Sequence, residues 1–154
     1  FGKTFGEAYF KAQRAAGVIL PKNGNAFISV RDKDKPAMCD IAKDLIKIGF
    51  DIFATSGTCD YLNKRNISCK QINKVKQGQP NVVDMIKNGE VHLIINTSEG
   101  AQSIKDSFSI RQEAQNNNVC LTTTVSGAKA FCKAILFIDN FDANDLQSLH
   151  KTIN

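Results

Sequence analysis

The sequence predicts an α/β fold of three layers, a doubly wound five-stranded parallel sheet covered by helices on both faces. Three observations carry this expectation. Apolar runs of strand length alternate along the chain with segments whose apolar residues recur every three or four positions. The connections between them are short, as crossover units in a parallel sheet allow. One run, 91–95, is apolar on both alternating sets apart from His92, the mark of a strand buried on both faces and expected to be central.

The elements follow in order. A first helix is expected over 4–16, then a loop holding Gly17, Pro21, Gly24 and Asn25, and a first strand over 26–30. Pro36 suits a first helical turn, and Met38, Ile41, Ala42, Leu45 and Ile48 keep helical spacing up to Gly49. A second strand over 51–54, a short helix over 59–64 and a third strand over 69–72 come next. The pattern repeats with a helix over 81–87 closed by Asn88-Gly89, the strand over 91–95, a helix over 104–115, a fifth strand over 119–121 and a helix over 128–137. Residues 1–140 thus read as one domain, and 141–154, with Phe141, Leu146 and Leu149, as a further helix or a tail.

Composition bounds the function. With 42% hydrophobic and 23% charged residues in 154, the chain has the make-up of one soluble globular domain. Its longest purely apolar run, 134–138, is too short for a bilayer, and no charged-then-apolar leader opens the sequence, so a cytoplasmic protein without membrane contact is expected. Five scattered cysteines without a Cys-x-x-Cys pair read as reduced thiols, and His92 and His150 have no second ligand at helical spacing, so no metal site is expected. The formal charge of +5 is uneven: residues 1–77 carry 14 basic and 7 acidic groups, residues 78–154 carry 6 and 8. That asymmetry suggests a local anion-binding surface. With no Trp and only two Tyr, base stacking has little to work with, and nucleic acid is not expected as a partner.

In an open parallel sheet, ligands bind beyond the carboxyl ends of the strands, where the strand order reverses. Residues following the five strands are Arg31 to Lys35, Thr55-Ser56-Gly57-Thr58, Asn73-Lys74, Asn96-Thr97-Ser98 and Thr122-Thr123-Thr124. Each exit offers hydroxyls, amides or ammonium groups. In Thr55-Ser56-Gly57-Thr58 a glycine lets the backbone turn while two hydroxyls and free helix amides converge, a setting that favours a phosphate, with Lys35 or Lys74 supplying charge. The bland alternatives stay open: Thr55 and Thr58 as helix caps, Asn96-Thr97-Ser98 as an ordinary turn, and the lysines as solvated surface. Asp32 and Asp34 alternate with Lys33 and Lys35 and read as a solvated charged loop. No general acid or base stands out, so the pattern points to a binder of a small phosphate-bearing ligand.

Phe5-Gly6-Glu7-Ala8, Lys11-Ala12-Gln13, Phe27 to Asp32, Ala54-Thr55-Ser56-Gly57-Thr58, Asn73-Lys74-Val75, Ile86-Lys87-Asn88-Gly89-Glu90 and Ile94-Ile95-Asn96-Thr97 together resemble the C-terminal regulatory domain of the bacterial carbamoyl-phosphate synthetase (glutamine-hydrolysing) large chain, a methylglyoxal-synthase-like domain. The resemblance runs from about Phe5 to Phe137. It implies an allosteric domain that binds the nucleotides UMP, as inhibitor, and IMP, as activator. Carried over, the phosphate set is Lys35, Thr55, Gly57, Thr58 and Lys74, with Ser29, Asn96, Thr97 and Ser98 near sugar and base, and Thr123 as an ornithine contact. The domain itself would need no cofactor and do no catalysis. ATP with Mg or Mn would belong to the parent enzyme, a ligase of pyrimidine and arginine biosynthesis. Partners implied are the rest of the large chain, the glutaminase small subunit and further copies of the parent. Two departures stand out: Glu99-Gly100-Ala101-Gln102 where many relatives carry a basic pair, and Thr122 where an aspartate is expected. The alternative on the same fold is a stand-alone methylglyoxal synthase acting on dihydroxyacetone phosphate.

Overall fold

The structure, a computed structural model, describes residues 1–73, 78–99, 101–139, 143 and 145–151, excluding the side chains of 101–103, 106, 146, 148 and 149. Helix α1 (Phe5–Ala15) starts behind Thr4, whose hydroxyl oxygen accepts from the Glu7 amide at 3.2 Å. Strand β1 (Gly24–Ser29) leads through a 3-10 turn (Asp32–Asp34) into α2 (Lys35–Ile48). Pro36 sits in the first turn of α2, and Gly49 ends it at φ 114°, a left-handed conformation that a Cβ would resist. Then come β2 (Phe50–Ala54), α3 (Ser56–Asn63), β3 (Lys70–Gln71), α4 (Val82–Lys87) and β4 (Leu93–Asn96). The series closes with α5 (Ala101–Asn116), β5 (Cys120–Thr122), α6 (Val125–Ile135) and α7 (Leu146–Lys151).

The five strands are parallel, in the order β3-β2-β1-β4-β5. From β1 the chain steps outward to β2 and β3, then crosses to the other side for β4 and β5, so the order reverses between β1 and β4. Because side chains alternate across a strand, each face acquires its own core. Ile28, Ile52, Leu93 and Ile95 pack with Met38, Ile41 and Leu45 of α2, Leu62 of α3 and Phe131 of α6. Phe27 and Ile94 point the other way, against Val82 and Ile86 of α4 and Ile110 and Ala114 of α5. Full burial of each such aliphatic or phenyl side chain contributes about 1.5–3 kcal/mol.

The predicted class and strand count hold, while several element boundaries shift, most of them by one to three residues. The fourth strand is central as expected, with β1 on one side, β5 on the other and all four residues buried, but it spans Leu93–Asn96 rather than 91–95. Helix α3 starts at Ser56 rather than at 59, because Ser56-Gly57-Thr58 is already helical. β3 contracts to two residues, both exposed at the sheet edge. Helix α6 starts at Val125, since Thr124 caps it by accepting from the Gly127 amide at 3.0 Å.

Candidate functional site

The order reversal aligns the exits of β1 and β4 side by side. Ser29 is the registered partner of Asn96, and the Thr97 amide donates to the Ser29 carbonyl at 3.1 Å. The Thr97 hydroxyl oxygen in turn accepts from the Arg31 amide at 3.2 Å, tying the two exit loops together. On the other flank of β1, the Thr55 amide donates to the Ile28 carbonyl at 3.4 Å. This edge therefore gathers an unusual set of buried polar residues: Asp34, Thr55, Thr58, Asn96 and Thr97. Removing such groups from water is unfavourable unless they are hydrogen-bonded.

Electrostatics single out one spot. Lys35 is the first residue of α2, where a cation opposes the helix dipole. Its side chain is 16% exposed, and a Cβ built on Gly57 would lie 3.3 Å from its Nζ. Gly57 belongs to the first turn of α3, so the ammonium rests at the positive end of α3, carried there by the residue that opens α2. The glycine serves close approach here, since its backbone is helical and forms no sharp turn. Thr55 stands at the N-cap position of α3 without making a side-chain capping bond, so the capping alternative fails for it; Thr58 is buried in the first turn. The partner of Lys35 is Asp32, 2.7 Å from Nζ on a carboxylate 95% exposed. That hydrogen bond and the Lys35 charge hold the Asp32 carboxyl below its usual range.

Two further groups frame the edge, and sequence reasoning missed both. Asp34 is buried rather than solvated: Arg31 Nε donates to its Oδ2 at 2.6 Å. Burial raises the Asp34 carboxyl, but hydrogen bonds from Arg31 and Thr97, with the charges of Arg31 and Lys33, outweigh it and leave the group below the usual carboxylate range. Arg31 also reaches Glu99 at 3.3 Å, and Lys33 holds Glu99 at 3.0 Å, chiefly through a hydrogen bond that lowers that carboxyl too. Arg111, on α5, donates through Nε to Asn96 Oδ1 at 3.0 Å, and through Nη2 to the Asn96 carbonyl at 3.3 Å and to Ser98 Oγ at 2.7 Å. The one signal for it was that no other arginine follows Arg65 in the sequence.

Of the expected site residues, Ser29, Asn96, Thr97 and Ser98 thus meet at the β1/β4 exits, and Lys35 and Gly57 meet beside them with Thr55 and Thr58. Thr123 is exposed at the exit of the outermost strand β5, with β4 between it and β1. Lys74 lies outside the described residues. Among the described residues no group of three or more His, Cys, Asp or Glu could hold a metal ion, and no helix is long and apolar enough to cross a membrane. All five cysteines are free, and burial pushes the Cys120 and Cys132 thiols up to about 11, which keeps them protonated.

Comparison with known proteins agrees with this architecture. The family model of the MGS-like domain matches residues 37–123, more than half of the chain. The carbamoyl phosphate synthase large chain of Pseudomonas syringae pv. tomato is 50% identical over 149 residues, which is 97% of this chain and 14% of that protein. The protein described as "Carbamoyl phosphate synthase large chain, C-terminal section" from Aquifex aeolicus is 48% identical over 133 residues, 86% of this chain and 25% of that one. The chain therefore spans about a seventh of the Pseudomonas relative's length. Among solved structures, methylglyoxal synthase from Elizabethkingia anophelis NUHP1 superposes with a TM-score of 0.60 at 16% identity, covering 86% of this chain and 93% of that one, a likeness of fold. A parallel sheet reversing between β1 and β4, the family model and half-identity to part of bacterial synthase large chains lead to one assignment: the chain belongs to the MGS-like domain family.

Proposed function

We propose that this chain is the nucleotide-binding regulatory domain of a carbamoyl-phosphate synthase large chain, holding the phosphate of uridylate or inosinate at the exits of β1, β2 and β4. The observation that carries the reading is Lys35, which opens α2 and whose largely covered side chain sets its ammonium against the first turn of α3. A cation in that position is unfavourable alone and favourable beside a dianion, because helix amides, ammonium and hydroxyls then all donate to the same group. Thr55, Thr58 and Gly57 border the phosphate, and Ser29, Asn96, Thr97 and Ser98 extend toward sugar and base. Lys74 joins the phosphate set through the family resemblance, as Thr123 does for ornithine. Catalysis, ATP and its Mg or Mn belong in this reading to the remainder of the longer chain, which with the glutaminase small subunit is the partner. Regulation then amounts to a coupling free energy of about 1–3 kcal/mol between this site and distant substrates, and it requires that the nucleotide bind two global states unequally.

Calorimetric titration of the chain with uridylate and with inosinate tests the reading. Saturable heat that is lost in Lys35→Gln and in Lys74→Glu, with melting of the free proteins unchanged, is the expected result. Absence of heat from folded protein at millimolar nucleotide overturns it. The shared fold also admits a stand-alone methylglyoxal synthase, and turnover of dihydroxyacetone phosphate would favour that second reading instead.

A further inference from the structure

Lys35 poses an electrostatic problem before any ligand arrives. Its side chain is 16% exposed and carries the ammonium against the first turn of α3, while the residue itself opens α2, so a full positive charge adds to the positive end of α3 from a residue already ill placed for the dipole of α2. Asp32 answers it. It comes from the 3-10 turn that follows β1, three residues before Lys35, and its carboxylate is otherwise almost wholly in water, at 95% exposure. The neighbouring acids have different work: Asp34 is buried against Arg31, and Glu99 bridges Arg31 and Lys33. Among the described acids Asp32 alone pairs with Lys35, and it does so through a single 2.7 Å contact that a small rotation would break.

We infer that Asp32 is a resident anion of the site, a carboxylate that stands in for the ligand's phosphate on Lys35 and has to be displaced when the ligand binds. This rests on the proposed nucleotide-binding reading and adds a determinant of affinity and ligand class to it. A ligand that brings one negative oxygen merely exchanges it for that of Asp32 and gains little. A phosphomonoester brings about 1.5 to 2 charges and three acceptor oxygens, enough to occupy Lys35 and the α3 amides together. Asp32 thereby selects for phosphomonoesters over carboxylates, and it repels them while they approach.

The test is titration of the chain and its variants with inorganic phosphate, uridylate and uridine. Asp32→Asn is expected to tighten uridylate and phosphate by about three- to tenfold in low salt, with the gain shrinking in 0.5 M salt as screening shortens to a few ångströms. Uridine affinity stays the same. Asp44→Asn, which removes an equal charge from an acid paired with Lys47 near the far end of α2, changes uridylate affinity by less than about 1.5-fold. Asp32→Asn that leaves uridylate affinity unchanged or weakens it, while Lys35→Gln still abolishes binding, overturns the inference and leaves the nucleotide-binding reading standing. So does an equal gain in Asp44→Asn. If neither wild type nor Asp32→Asn binds phosphate or uridylate, the nucleotide-binding reading falls and takes the inference with it.

Discussion

The two ends of the β1/β4 pair are fastened in the same way and yet could hardly differ more in environment. At the carboxyl end the Thr97 hydroxyl accepts from the Arg31 amide; at the amino end His92 Nδ1 accepts from the Asn25 amide at 3.1 Å, and Asn25 Nδ2 donates to the Glu90 carbonyl at 2.7 Å. In both cases a side chain on one strand's flank holds a backbone amide on the other's. At the amino end, however, His92 is exposed and water can replace either bond, whereas at the carboxyl end Thr97, Asn96, Asp34, Thr55 and Thr58 are buried. Water solvates broken bonds at one end and is excluded at the other, so only the carboxyl end carries a large penalty for disorder. That asymmetry is what a preorganised binding site requires, and the same sheet geometry without it serves as a plain fastening.

Substitutions can break or sharpen the contrast. The largest expected effect is that of Lys35→Glu, which puts a second anion where a phosphate would dock: uridylate affinity falls by at least about thirtyfold in calorimetry. The melting temperature of the free protein holds or rises, because a carboxylate suits a helix N-terminus by about 0.3–1 kcal/mol. Next comes Arg111→Met, which strands the Asn96 and Ser98 oxygens; urea unfolding should show a loss of about 1–3 kcal/mol. Asp34→Asn follows, at about 1–2 kcal/mol near neutral pH. Its sign with pH is definite: the folded carboxyl is depressed, so its contribution is present above the unfolded carboxylate range and lost as pH falls through the folded value. The melting-temperature gap between wild type and Asp34→Asn should therefore close as the pH is taken from 7 toward 3. Gly57→Ala places a methyl group against Lys35 Nζ and should weaken uridylate several-fold, while the free protein holds its stability or gains up to about 1 kcal/mol from helix propensity. Smallest of all, His92→Ala at the amino end should shift stability by about 0.5 kcal/mol or less and leave nucleotide titrations untouched.

Legibility of the sequence followed the range of the forces involved. Helix α2 could be read almost to the residue because Pro36 and Gly49 mark its ends through local backbone chemistry. The start of α3 was misplaced because Ser56-Gly57-Thr58 has the composition of a turn, and only packing over Leu62 and beneath Lys35 makes it helical. Asn96 and Thr97 were legible as strand-exit residues and Ser29 only through the family resemblance; the β1/β4 pairing is what brings the three together. Asp34 escaped because alternating charges look solvated in one dimension, whereas it is buried and bonded by Thr97, distant in sequence and adjacent in the fold. Arg111 escaped for the same reason: it reaches back fifteen residues to Asn96 from the fourth turn of α5.

The outermost strands, β3 with two residues and β5 with three, are also the shortest of the five. A sheet invites a foreign strand in proportion to the free amides and carbonyls along its rim, and here that rim is brief and carries Lys70. Extension into fibrous assemblies is thereby discouraged, and any association between copies is left to helical surfaces, where contact can form and dissolve without the sheet being reopened.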